Sequence, residues 1–319
     1  MQKLKVGIIG LGSWGQAMTH YFNSLGHEVT AWKRKNIESQ SINNITTIKD
    51  LPSLVASSEL LFISIPVNEL RGLYDSIITM PTSAKAIVWG SKGMEANTGY
   101  LPHMIFNEFF FDKPIAGVSF SGPTFAEEIL KDLPGAICIA SNSLEATNLL
   151  STITATGNLR TYPTQDIMGV ELGGAIKNIY AICCGIIDGS LLGDNAQAAL
   201  ITRGLHEMTK LGQAMGAQPE TFYGLSGLGD MVLTCTGGAS RNRNFGKKLA
   251  GTRDIKVALN DIGQTVEGYY STKAIYEKSV ELNIDMPIVH ELYHILYKGR
   301  AIKDAINNLV LRPSKKEIA

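Results

Sequence analysis

The chain has 319 residues, 45% of them hydrophobic and 18% charged, with Lys+Arg and Asp+Glu both at 29. At about 150 residues per domain this is two domains, each able to bury a sizeable core, and the composition excludes a disordered chain. Zero net charge argues against a nucleic-acid or anionic-membrane surface, and no apolar run reaches the roughly 18 residues of a membrane span. The N-terminus enters a strand almost at once, which leaves no room for a signal peptide. Cys138, Cys183, Cys184 and Cys235 show neither C-x-x-C nor metal-type spacing, so they read as reduced structural thiols of a cytoplasmic protein without a metal site.

Apolar runs at 4–9, 28–32, 60–65, 86–89, 115–119 and 136–140 alternate with helical or loop segments. That pattern predicts an α/β doubly wound, mainly parallel sheet covered on both faces. Ligands of such sheets lie beyond the carboxyl ends of the strands, so the residues after each run are the candidates. The first run meets Gly10-Leu11-Gly12-Ser13-Trp14-Gly15, and a helix-compatible stretch follows. This G-x-G-x-x-G turn is read as a dinucleotide site. Gly10 allows the tight turn, Gly12 lets the backbone approach a pyrophosphate, and Gly15 brings the helix close to the sheet. The free N–H groups of the helix start then face the anion.

After 28–32 come Lys33, Arg34 and Lys35. An NAD-selective site usually carries an acid about 20 residues beyond the glycine turn, bonding the ribose 2′-OH. Here the first acid is Glu38, so Lys33 or Arg34 can instead meet a 2′-phosphate, and NADPH is expected in preference to NADH. The bland alternative is a solvated basic turn. Pro66 opens the loop after 60–65, on the cofactor side. Gly90-Ser91-Lys92-Gly93 follows 86–89 and can aim an ammonium into the crevice, unless Lys92 is a surface lysine in a turn. After 115–119, Gly122 and Pro123 shape a turn, and Thr124 begins a helix as a cap or a ligand donor.

Near Tyr162-Pro163 the alternation stops, and the pattern is helical to the end. The division is therefore placed as 1–164, a dinucleotide-binding domain, and 165–319, a helical substrate and catalytic domain. A long apolar helix runs from Gly169 through Ile187, with Lys177 and Asn178 as polar exceptions. A lysine is almost never buried without a partner, and burial lowers its pKa towards the range useful for proton transfer. A lysine snorkelling from a helix edge is the alternative. Asp194 is read as a helix cap; Leu205, Met208, Leu211 and Met215 read as core, with Gly216 ending that helix. Asp230, in a glycine-dense stretch, can pair with Lys177 or cap a helix. Ser240 can cap the next helix, and Arg241 or Arg243 offers a bidentate clamp for phosphate while the other faces solvent. Glu267 can bond a cofactor amide or ribose, or simply start a helix.

Taken together, GLGSWG, SKGMEANTG, SGPTFAEE, GVELGGAIKNIYAI, DNAQAALITRGL, GLSGLGDMVLTCT, SRNRNFG and IGQTVEGY span nearly the whole chain. They resemble the NAD(P)-dependent glycerol-3-phosphate dehydrogenases of the bacterial type, in that family's order. The resemblance implies reversible reduction of dihydroxyacetone phosphate to sn-glycerol 3-phosphate for phospholipid synthesis. It implies Lys177 as proton donor and acceptor, Asp230 as the acid beside it, and Lys92 touching both cofactor and substrate. Gly122, Thr124 and Asn178 become substrate contacts, and Ser240, Arg241 and Asn242 hold the phosphate and polyol. Ser13, Trp14, Arg34, Ala126, Arg241, Val266 and Glu267 become cofactor contacts, with Lys33 and Pro66 beside them. A homodimer is implied as well. One departure stands out: family members usually carry a longer loop after the second strand, with an N-x-x-[YF]-L-P-like piece that this chain lacks.

Three other readings compete. A 3-hydroxyacid dehydrogenase shares the architecture but spaces its lysine and asparagine as K-x-x-x-N, whereas Lys177 and Asn178 are adjacent. A UDP-sugar dehydrogenase needs a placed nucleophilic cysteine, and Cys183 and Cys184 lie in an apolar helix. A cofactor-binding sensor without turnover would not need the lysine, aspartate and arginine set.

Overall fold

The computed structural model describes residues 3–34, 46–48, 50–252 and 254–313. Lys35, Glu38 and most of the shortened loop lie outside the described residues. Among the described residues eight strands form one sheet: β1 (Lys5–Ile9), β2 (Glu28–Trp32), β3 (Thr46–Thr47), β4 (Leu60–Ile63), β5 (Ala86–Trp89), β6 (Ala116–Ser121), β7 (Gly135–Ala140) and β8 (Leu159–Thr164). Their spatial order is β3-β2-β1-β4-β5-β6-β7-β8. The first six of that order are parallel, β7 runs antiparallel to β6, and β8 is parallel to β7. All residues of β4 and β5 are buried, as their unbroken apolar runs require in a sheet covered on both faces. The order reverses between β1 and β4, which places the crevice for a ligand at their carboxyl ends.

Two strands escape the hydrophobic pattern. β3 has two residues and sits at one edge. β8 forms the other edge, buries only Leu159 fully, and contains Pro163. A proline is tolerated there because an edge strand leaves one ladder side unpaired.

In the sheet half the helices are α1 (Ser13–Ser24), α2 (Leu51–Ser57), α3 (Leu70–Ile77), α4 (Pro102–Phe110), α5 (Ala126–Ile129) and α6 (Leu144–Thr154). From there on the described chain is helical: α7 (Ile167–Gly189), α8 (Asp194–Ala214), α9 (Pro219–Tyr223), a π-turn at Leu225–Gly229, then α10 (Asp230–Thr236) and α11 (Arg241–Thr252). α12 (Ile255–Ile262), α13 (Glu267–Glu281), α14 (Pro287–Lys298) and α15 (Ile302–Val310) complete it.

The helical half is built around α7. Asp166 caps it, accepting from Gly169 N at 2.9 Å, while its other oxygen accepts from Gln218 N and Thr221 Oγ1 at 3.0 and 2.6 Å. Every residue from Gly169 to Ile187 is buried. By length and composition alone this helix could cross a bilayer; its 18-residue apolar window is instead wholly buried within the fold. Its first turn, Ile167 and Val170, packs with Trp89 and Phe106 in the core on one sheet face. From Leu172 onward it belongs to the helical core, with Met208 and Leu211 of α8.

Two helix ends differ from expectation. Asp194 does not cap α8: Gly193, at φ +82°, is the cap, and Asp194 is the first helical residue, where its charge favours the helix dipole. Thr124 does not cap α5, which starts after Phe125 with no side-chain cap bond.

α11 crosses α7 at near backbone contact. A Cβ on Gly246 would lie 2.0 Å from the Ile182 carbonyl oxygen. Gly246→Ala must therefore push the helices apart, at a cost of roughly 1–3 kcal/mol for overpacking. Urea unfolding should show a lower midpoint for this variant; an unchanged midpoint would contradict the close crossing.

Candidate active site

The glycine turn joins β1 to α1. Gly10 has φ +97°, and a Cβ there would sit 2.4 Å from the Ser64 carbonyl oxygen just past β4. A Cβ on Gly15 would lie 1.8 Å from the Gly10 carbonyl oxygen, so only glycine lets α1 start this close to the sheet. Gly12 is the helix cap, makes no side-chain cap bond, and has open space where a Cβ would be. The first-turn N–H groups at Ser13 and Trp14 thus have no intrahelical acceptor. The Trp14 indole lies against Gly90 at the end of β5, and its Nε1 is buried without a hydrogen-bond partner among the described residues. An open glycine, a bare helix N-terminus and an orphaned donor at the topological switch point fit a dinucleotide.

Lys33 and Arg34 are exposed beyond β2. Arg34 Nη2 reaches Glu69 at 2.9 Å. Pro66 is exposed at the start of the short turn Val67–Glu69, which supplies that carboxylate.

Lys92, Lys177, Asp230 and Gly122 meet at one point, although they come from four separate segments. Lys177 lies on α7 with its side chain 8% exposed, and Asp230 opens α10 at 1%. The Lys177 ammonium donates to Asp230 Oδ1 and, at 2.9 Å, to Thr234 Oγ1. Thr234 donates in turn to the Asp230 carbonyl at 2.6 Å. Lys92 Nζ donates to the other Asp230 oxygen at 2.6 Å and to the Gly122 carbonyl at 3.3 Å. Asp230 therefore does not cap its helix; both carboxylate oxygens are committed to lysines. Lys177 is not a snorkelling lysine either, since its head group is inside.

Burial pushes the Lys177 ammonium down to about 8, against the opposing attraction of Asp230. For Asp230 burial acts to raise the carboxyl, but Lys177 and Lys92 outweigh it and hold the group below the usual carboxylate range. The pair is thus an ionised carboxylate and an ammonium that parts with its proton near neutrality. No motif in the sequence singles out Thr234; its only local signal is its place one helical turn after Asp230.

A second polar chain starts from the neighbouring residue on α7. Asn178 Nδ2 donates to Glu267 Oε2 at 3.2 Å, and its Oδ1 accepts from Asn242 Nδ2 at 2.9 Å. Asn242 Oδ1 accepts from Gly268 N at 2.9 Å. Burial raises the Glu267 carboxyl, opposed by Arg241, Lys177 and Lys92, which places all three cations within its field. Val266, buried, caps α13 ahead of Glu267. Ser240 Oγ accepts from Arg243 N at 3.2 Å and so caps α11.

Of the two arginines, Arg243 turns inward, to Asp188 at 2.7 Å and the Thr236 carbonyl at 2.6 Å. Arg241 is the exposed one, touching Gln264 Oε1 at 3.3 Å. Thr124 is half-buried, with Oγ1 at 3.4 Å from the Gly122 carbonyl, and Ala126 packs on the sheet core. Among the described residues no cluster of His, Cys, Asp or Glu could hold a metal ion. Cys183 and Cys184 are buried, and burial pushes the Cys183 thiol well up, which leaves it a poor nucleophile.

Residues 5–147 match the family described as "NAD-dependent glycerol-3-phosphate dehydrogenase N-terminus", and residues 166–307 match "NAD-dependent glycerol-3-phosphate dehydrogenase C-terminus". A "Glycerol-3-phosphate dehydrogenase [NAD(P)+]" of Colwellia psychrerythraea is 38% identical, covering 98% of each chain. One from Bartonella quintana is also 38% identical, over 100% of this chain and 98% of its own. The crystal structure of glycerol-3-phosphate dehydrogenase from Coxiella burnetii superposes with a TM-score of 0.90 at 32% identity, covering 97% of this chain and 99% of that one.

Proposed function

Since the chain belongs to the NAD-dependent glycerol-3-phosphate dehydrogenase family and is a glycerol-3-phosphate dehydrogenase using NAD(P), we propose that Lys177 is the acid that protonates the substrate ketone. Asp230 and Lys92 arrange and assist it. The substrate is dihydroxyacetone phosphate, and the product is sn-glycerol 3-phosphate, which phospholipid synthesis consumes. When bound, the reduced nicotinamide supplies a hydride to the ketone carbon. The carbonyl oxygen then gains negative charge and must take a proton.

An ammonium has three donors, and Lys177 commits two of them to Asp230 and Thr234. The third is available to the ketone oxygen. A proton acid with a pKa of about 8 is well matched to reaction near neutral pH. Asp230 stays ionised and keeps the ammonium aimed. Lys92, bound to the same carboxylate, adds positive charge beside the developing alkoxide. In the reverse direction Lys177 as neutral amine takes the alcohol proton.

Arg241, Ser240 and Asn242, with Gly122, Thr124 and Asn178, hold the phosphate and polyol, so that binding remote from the reacting carbon positions it. Ser13, Trp14, Pro66, Lys92, Ala126, Arg241, Val266 and Glu267 surround the dinucleotide. The buried Lys177–Asp230–Lys92 cluster carries this reading. Its test is NADPH absorbance on adding dihydroxyacetone phosphate. Turnover of a 3-oxoacid instead would favour the hydroxyacid dehydrogenase reading, and no turnover of either would favour a sensor.

Lys33 and Arg34 favour NADPH over NADH, because an exposed guanidinium beyond β2 can meet a 2′-phosphate once it leaves Glu69. A surface pair of that kind is worth only about 0–1 kcal/mol, so it is readily exchanged. Arg34→Ala should lower kcat/KM for NADPH and leave that for NADH nearly unchanged. Equal loss with both cofactors would contradict the assignment. The chain divides functionally into 1–164 for the cofactor and 165–319 for the substrate and the catalytic lysine. The protein acts in the cytoplasm, consistent with four unpaired cysteines, and as a homodimer, which sedimentation velocity would distinguish from a monomer.

A further inference from the structure

Glu171 lies on α7 and is 4% exposed. Its carboxylate accepts the Trp89 indole N–H at 2.7 Å on one oxygen. The other oxygen accepts the backbone N–H of His103 at 3.1 Å and meets its ring Nδ1 at 2.7 Å. Each of these groups has a structural need for it. The Trp89 side chain is fully buried, so its donor must be satisfied. His103 is in the first turn of α4, whose cap residue Leu101 makes no side-chain bond, and an anion is favourable there.

The position of these contacts relates them to the reaction. Trp89 is the last residue of β5, and Lys92 follows three residues later in the loop leaving that strand. On α7, Glu171 is three residues before Gly174 and six before Lys177, about 9 Å along the axis. Each neighbours the next on the helix surface as an i, i+3 pair, while Glu171 and Lys177 themselves point about 120° apart. At Gly174 a Cβ would sit 3.4 Å from Lys92 Cγ and 3.2 Å from Ser121 Oγ, so the Lys92 stem runs across that glycine. The same stretch of α7 thus anchors the end of β5, carries the Lys92 stem, and presents Lys177. The two lysines then arrive at opposite oxygens of Asp230.

We infer that Glu171 is a positioning residue for proton transfer: through Trp89 and His103 it fixes the end of β5 on α7, so that Lys92 reaches the carboxylate that also holds Lys177. This rests on the reading of Lys92, Lys177 and Asp230 given above. No bond is made or broken at Glu171. Its effect is transmitted through the place of Lys92.

The test is a double-mutant cycle on the full-length enzyme, with kcat, KM and NADPH affinity measured for each variant. Glu171→Gln, which keeps the shape and removes the charge, should lower kcat by roughly 10- to 100-fold, the size expected for a displaced catalytic group. NADPH affinity should fall no further than it does in Lys92→Met, because Lys92 is the dinucleotide contact that Glu171 places. In a Lys92→Met background the same substitution should cost little more, because the two act on one path. Glu171→Asp, which keeps the charge, should recover part of the lost kcat.

If Glu171→Gln leaves kcat intact, or if its loss multiplies fully with that of Lys92→Met, the inference is wrong and the role of Lys92 stands. If Lys92→Met itself turns over normally, the reading of Lys92 fails and the inference fails with it. Should Glu171→Gln not fold, Trp89→Phe removes the indole donor together with part of the ring volume, and it enters the same cycle with the same outcomes.

Discussion

Lys177→Met should lose kcat for dihydroxyacetone phosphate reduction by roughly 10²–10⁴-fold, the usual worth of general acid catalysis. NADPH binding, followed by fluorescence, should survive. Methionine nearly matches the lysine stem in length, and the buried Asp230 carboxylate keeps Lys92 as its ion-pair partner, so the fold should tolerate it. What is lost is a proton donor with no replacement nearby. Lys92 is bound to the opposite oxygen of Asp230 and to the Gly122 carbonyl. Thr234 is a much weaker acid. Near-normal turnover in this variant would show that another group delivers the proton.

The second large effect is expected at Asp230. Its carboxylate separates two ammonium groups in a buried site, and Asp230→Asn leaves them facing each other across a neutral amide. Removing one partner of a buried ion pair costs about 3–5 kcal/mol. Thermal unfolding should therefore shift markedly downward. Activity should fall as well, with a definite sign in its pH dependence. Asp230 attracts the Lys177 ammonium and so opposes the lowering by burial. Without it the Lys177 pKa drops further below about 8. Fewer molecules then carry the reactive ammonium at neutral pH, and the break in the pH–rate profile for reduction moves to lower pH. A break that stays in place would mean that Asp230 does not act on Lys177.

How much of this was legible in the sequence depends on the range of the forces involved. The glycine turn was legible because its requirements are local: a positive φ at Gly10 and a near contact at Gly15 follow from spacing within one turn. Strands β4 and β5 were legible because burial on both faces leaves an unbroken apolar run. Strand β8 was not, since an edge position needs no such run and even admits Pro163. Lys177 stood out because a charge inside an apolar helix has few physical excuses.

Its partners were harder to find. Asp230 came from the resemblance and from chemical plausibility, while Thr234 and Glu171 were missed. Their contacts join residues 57 and 82 positions apart in sequence. Periodicity carries no signal over that distance. The same holds for Glu69, which pairs with Arg34 from a separate loop. The cap at Asp194 failed for a local reason: Gly193, with its positive φ, takes the cap position and moves the acid into the helix.

The pH dependence of kcat in both directions tests the proton donor most directly. With Lys177 titrating at about 8, reduction of dihydroxyacetone phosphate requires the ammonium and should fall as pH rises through that value. Oxidation of sn-glycerol 3-phosphate requires the free amine and should rise through the same value. Mirror-image profiles sharing one break are the expected result. Rates independent of pH across that range, or breaks that fall together in both directions, would contradict a proton carried by Lys177.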